Sequence, residues 1–133
     1  MQAQADLTLS VPARSENLAP VRQAVAQFAE SLGAEPDVIE DVRLAVNEAC
    51  SNVVRHAYGN EDGDLEVAAR PDGRRLVVQV RDSGRGFSAP TDNPGAGAGL
   101  TLMRAASEAL RIAERANGSG THVWLAFPLQ HTG

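Results

Sequence analysis

A chain of 133 residues with 43% hydrophobic and 22% charged side chains has a globular composition and the length of one domain with one core. Seventeen acidic against twelve basic residues leave a net charge of −5, and no basic cluster is interleaved with aromatics, so nucleic-acid binding is disfavoured. No apolar run is long enough to span a bilayer, and Met1 to Asp6 lack a signal-peptide pattern, so no membrane association and a cytoplasmic location are expected.

In chain order, Leu7, Leu9 and Val11 alternate with Thr8 and Ser10, which predicts a strand over residues 6–11 closed by Pro12. Leu18, Val21, Val25, Phe28 and Leu32 then recur at helical spacing, with Pro20 in the first turn and Gly33 as the stop. Pro36 opens a second helix read over 37–57. At 100° per residue, Val38, Val42, Ala45, Val46, Ala49 and Val53 share one stripe, so that side faces a core. His56 falls in the same stripe, which suits a packed structural role, while His122 and His131 carry no signal. The single Cys50 has no disulfide partner in the chain and reads as a partly buried, inert thiol.

A turn-rich stretch from Gly59 to Gly63 leads to a strand through Leu65, Val67 and Ala69. Pro71-Asp72-Gly73 turns the chain into Leu76-Val77-Val78-Gln79-Val80, the most β-branched run and the expected central strand. From Ser88 to Ala98, prolines and glycines leave no expectation of regular structure. Helical spacing returns at Leu100, Met103, Ala106 and Leu110. A final hairpin turns at Asn117-Gly118-Ser119-Gly120 and ends in a strand from Thr121 to Phe127. Short turns between alternating strands imply one domain over 1–133, with its core at about 6–127. The fold class is α+β, a two-layer sandwich of a mostly antiparallel mixed sheet with helices on one face.

Three polar or glycine-rich clusters stand out. Glu48 and Asn52 lie one turn apart on the flank of the second helix, where two polar heads reach the rim of an apolar face together. The other reading is an incidental pair on a solvated flank. Asp82-Ser83-Gly84-Arg85-Gly86 follows the central strand. It begins a G-x-G-x-x-A match, but the dinucleotide fingerprint needs a helix there, and Pro90 and Pro94 oppose one. Asp82 instead suits an acceptor for an exocyclic amine, with Gly84 and Gly86 letting backbone close on a flat ring; an ordinary turn fits as well. Gly95-Ala96-Gly97-Ala98-Gly99 runs into the helix at Leu100, where free N–H groups form an anion seat, or else a flexible surface loop. No Lys-Ser or Lys-Thr follows, so it is not a Walker-type loop.

Taken together, Glu48-x-x-x-Asn52, Asp82-x-Gly84-x-Gly86, Gly97-x-Gly99-Leu100 and Thr121 resemble, in order and spacing, the nucleotide-binding boxes of the GHKL ATPase superfamily. The resemblance covers about residues 6 to 127 and is nearest to the small anti-sigma-factor serine kinases of the RsbW and SpoIIAB type. Glu48 to Asn52 followed by His56-Ala57-Tyr58 looks like their first box, and Ala13 to Asn17 like the entrance to their first helix.

The resemblance implies a Bergerat-type ATP fold and an ATP- and Mg²⁺-dependent protein serine kinase. Asn52 would hold Mg²⁺, Asp82 would read the adenine amino group, and Thr121 would support the base. Gly97, Gly99 and Leu100 would offer N–H groups to the phosphates beneath a lid over Ser88–Ala98, and Glu48 would be the general base. The implied partners are a STAS-type antagonist as substrate, a sigma factor, and a second copy in a homodimer, with Arg22 at a partner-facing basic position. The lid lacks Lys and Arg, which leaves Arg85 or Arg104 to meet the terminal phosphate. Histidine kinases also share the boxes, but their phosphoacceptor segment has no counterpart before Leu7. Two further classes stand beside the kinase: a non-catalytic ATP-binding anti-sigma or switch module, and a related kinase acting on STAS proteins in another pathway.

Overall fold

The computed structural model describes residues 6–58, 62–84, 94–114 and 120–129. Strand β1 (Leu7–Pro12) leads through a short 3-10 turn (Ser15–Asn17) into α1 (Leu18–Ser31) and α2 (Pro36–Asn52). Then follow β2 (Asp64–Asp72), β3 (Arg75–Arg81), α3 (Pro94–Ala106), β4 (Ala109–Glu114) and β5 (Thr121–Pro128). The strands make one sheet in the order β1-β2-β3-β5-β4. A mixed component was expected, yet every described pairing is antiparallel. Strand β3 is central, as its β-branched run predicts.

Period-two alternation decides what each strand buries. Leu65, Val67 and Ala69 of β2, Leu76, Val78 and Val80 of β3, and Val123, Leu125 and Phe127 of β5 face one core, into which the helices send Val21, Val25, Val42, Val46 and Met103. Each large side chain so buried contributes about 1.5–3 kcal/mol. The opposite face carries Trp124, with His122 stacked on it at 3.6 Å between ring centroids and the Arg111 guanidinium 5.0 Å from the ring.

Helix α1 ends where Gly33 adopts φ +86°. Gly33 N–H donates to the Glu30 carbonyl at 3.0 Å and Ala34 N–H to the Ala29 carbonyl at 3.1 Å, a Schellman cap that turns the chain back toward α2. The second helix does not keep one winding over 37–57. It is α-helical to Asn52 and then makes a π-helical turn over Val53–Ala57, one residue more per hydrogen-bonded ring than the preceding turns.

Helix α3 departs from expectation at both ends. It begins at Pro94, not Leu100, because proline is accommodated in the first turn, where its missing N–H has no intrahelical partner to lose. It ends at Ala106, where both the amide and the hydroxyl of Ser107 donate back to the Met103 carbonyl, at 3.1 and 2.6 Å. Glu108 N–H then donates to the Ala126 carbonyl at 2.7 Å, which starts β4 against β5. Pro12 lies inside β1, opposite Asp64 at the strand's end. The β2–β3 hairpin turns at Gly73 and Arg74, with Pro71 still paired to Leu76.

Candidate functional site

One part of the site lies where β3 ends. Asp82 is 4% exposed and Thr121 5%, the polar side chains buried among the described residues. Burying a carboxylate is costly without partners, so the local hydrogen bonds matter. Asp82 Oδ1 accepts from Gly84 N–H at 2.8 Å, an Asx-type turn, and Asp82 N–H donates to the Thr121 carbonyl at 3.1 Å. Ser83 N–H donates to the Tyr58 hydroxyl at 2.9 Å, and that hydroxyl donates to the Asp64 carbonyl at 2.6 Å.

Two glycines at this corner are required by close approach. A Cβ at Gly84 would strike the carbonyl of Ala57, the last residue of the π turn. A Cβ at Gly120 would strike the Asp82 carbonyl, and its φ of +101° is also one that side chains rarely adopt. The turn bearing Asp82 is thereby pressed between β5 and the end of the helix that bears Glu48 and Asn52.

On that helix Glu48 and Asn52 are both half-buried. Asn52 Oδ1 accepts from Arg55 Nη2 at 3.4 Å, at the long end for such a bond. Arg55 is exposed and places a cation beside Asn52. Sequence reasoning turned to Arg85 or Arg104 for a cation and passed over Arg55, although its i+3 spacing from Asn52 was visible. Arg22 donates to Asn47 Oδ1 at 2.9 Å, bridging α1 to α2. Cys50 faces the core, and burial pushes its thiol up from 9.0 to about 12, so it is not a nucleophile at neutral pH.

The glycine-rich segment expected to meet phosphates is arranged differently. Gly97, Gly99 and Leu100 lie inside α3, so the helical ladder directs the N–H groups of Gly99 and Leu100 to the carbonyls of Gly95 and Ala96. Arg104 is exposed in the last turn of α3. Gly86, Arg85 and the expected lid up to residue 93 lie outside the described residues. Among the described residues, no group of three or more His, Cys, Asp or Glu is placed to hold a metal. The donor set fits Mg²⁺ only in its sparse mode, one hard amide oxygen at Asn52 with the remaining ligands from phosphates and water. No described helix is long and apolar enough to cross a membrane.

Comparison with known proteins identifies the family and fold. Residues 11–127 match the histidine kinase-like ATPase domain. The chain is 30% identical over 128 residues to an anti-sigma F factor of Clostridium acetobutylicum, covering 88% of this chain and 89% of that one. It is 35% identical over 81 residues to the serine-protein kinase RsbW of Bacillus anthracis, covering 61% of this chain and 51% of the relative. Among solved structures, the RsbU and RsbW domains of a Mycobacterium tuberculosis protein superpose with a TM-score of 0.75 at 26% identity over 95% of this chain. The chain spans only 32% of that longer protein and about half the length of the RsbW relative. With the family match spanning nearly the whole fold, the chain belongs to the histidine kinase-like (GHKL) ATPase domain family, and its similarity within that family is to anti-sigma F factor and RsbW.

Proposed function

We propose that the chain is an ATP-dependent protein serine kinase that phosphorylates a STAS-type antagonist and sequesters a sigma factor. One observation carries the reading: the buried Asp82 turn, closed by Thr121, rests against the end of the helix that bears Glu48 and Asn52. A single elongated ligand with an aromatic amine at one end and anionic charge at the other matches that layout. Asp82 accepts from the adenine amino group, with Thr121 behind it, and Gly84 lets the backbone lie close to the ring. Gly97, in the first turn of α3, would offer a free amide to the phosphates, and Gly99 and Leu100 would offer theirs where that turn opens.

Asn52 would hold Mg²⁺, whose charge offsets that of the phosphates. Phosphoryl transfer passes through a loose transition state, so the protein's task is positioning and charge neutralisation. Glu48, one turn before Asn52, accepts the proton of the incoming serine hydroxyl. Arg55, exposed beside Asn52, supplies positive charge that the lid lacks, and Arg22 on α1, which also bonds Asn47, would be a partner contact.

The test is incubation of the wild type and Glu48→Ala with labelled Mg-ATP and a cognate STAS protein. Transfer by the wild type, lost about 10²–10⁴-fold in the variant while ATP affinity is kept, supports the kinase. Tight ATP and sigma-factor binding without any transfer by the wild type supports the non-catalytic switch module instead.

A further inference from the structure

We propose that Tyr58 is the positioning residue of the base pocket, its hydroxyl joining the Asp82 turn to the end of the site helix so that helix winding sets base recognition. The inference rests on the nucleotide site proposed above. A phenol offers one donor and an acceptor oxygen, and Tyr58 uses both: it donates to the Asp64 carbonyl at 2.6 Å and accepts from Ser83 N–H at 2.9 Å. Ser83 is flanked by Asp82 and Gly84, so this bond holds the middle of the three-residue turn that aims the carboxylate.

The ring is held as well as the hydroxyl. It lies against Gly63, where a Cβ would overlap its edge, so a larger residue there would displace it. Tyr58 also follows directly on the π turn Val53–Ala57. The extra residue in that turn moves everything after it back by about 100° relative to a continuous α-helix, and this brings Tyr58 round to β2 and β3. Ala57, at the end of the same turn, meets Gly84. Two contacts from consecutive residues, Ala57 to Gly84 and Tyr58 to Ser83, therefore fix the Asp82 turn against α2.

Both hydrogen bonds lie at exposed positions, so water replaces them cheaply and removing the hydroxyl mainly loosens the turn. The experiment compares ADP with inosine diphosphate, which carries a carbonyl oxygen where adenine has its amine. Affinities are measured by calorimetry on wild type, Tyr58→Phe and Gly63→Ala, with thermal unfolding alongside. Tyr58→Phe is expected to weaken ADP about tenfold and leave inosine diphosphate unchanged, narrowing the preference about tenfold. Gly63→Ala, which keeps the hydroxyl but moves the ring, is expected to narrow it as well.

Equal weakening of both nucleotides, an unchanged preference, or a Tyr58→Phe chain that no longer folds overturns the positioning role. A wild type that binds no ADP overturns the proposed function, whereas ADP binding with an unchanged preference in Tyr58→Phe overturns this inference alone.

Discussion

The proposed base end and the proposed phosphate end of the site are held by different means. Around Asp82 the chain is locked by side chains and strands: a buried carboxylate and threonine, hydrogen bonds to Gly84, Thr121 and Tyr58, and two glycines pressed against neighbouring backbone. The phosphate end is a helix start built from Pro94 and alternating glycine and alanine, in which each glycine costs about 1 kcal/mol relative to alanine. On the proposed reading, the first end would meet a rigid, flat group. The other has its amides in a helix of low intrinsic propensity, which on the proposed reading would suit charged groups whose number changes.

The comparison breaks first at Gly84. Gly84→Ala forces a methyl group into the Ala57 carbonyl, and the expected loss of stability is about 1–3 kcal/mol, read from the midpoint of urea unfolding at constant slope. A variant as stable as the wild type shows that the turn does not bear on the π turn as described.

Cys50 probes the layer beneath both ends. Its thiol is raised in the folded chain, so it stays protonated where the unfolded chain has already lost its proton. Its contribution is complete below pH 9.0 and is lost as pH rises toward about 12. Within that window stability should fall by about 1.4 kcal/mol per pH unit, and Cys50→Ala should remove that slope. An equal slope in both proteins contradicts a closed core at Cys50.

Gly99→Ala sharpens the contrast with the smallest effect. It should favour the helical state of α3 by about 1 kcal/mol and weaken ADP a few-fold. Adenosine, which lacks phosphates, should bind unchanged. A matching loss for adenosine means that the two ends are not separable.

The sequence was most legible where a periodic pattern or a local motif sufficed. Alternation located β2, β3 and β5, the apolar stripe oriented α2, and Gly33 marked the end of α1. Asp82 stood out as an acceptor at the end of an apolar strand and Thr121 only through the family resemblance, and they are the buried polar pair among the described residues. What escaped depends on partners distant in sequence or on winding that leaves no compositional mark. The π turn at Val53–Ala57 uses ordinary helix-stripe residues, so nothing announces its extra residue. Gly120 read as a turn glycine, since its approach to Asp82 requires β3 and β5 to be paired. Tyr58 was visible in its motif, but its bond to Ser83 spans 25 positions. The early start of α3 was missed because glycine and proline argue against helix by propensity, while position in the first turn tolerates proline.

The central claim is that the Asp82 turn and Asn52 serve one magnesium nucleotide, and calorimetry of ADP with and without Mg²⁺ tests it most directly. The account predicts one site per chain. Asp82→Asn should lower affinity about 100-fold whether or not metal is present, because a base contact is lost. Asn52→Ala should keep metal-free binding and lose the gain that Mg²⁺ gives. Wild-type affinity in both variants, or a metal effect that survives Asn52→Ala, would contradict it.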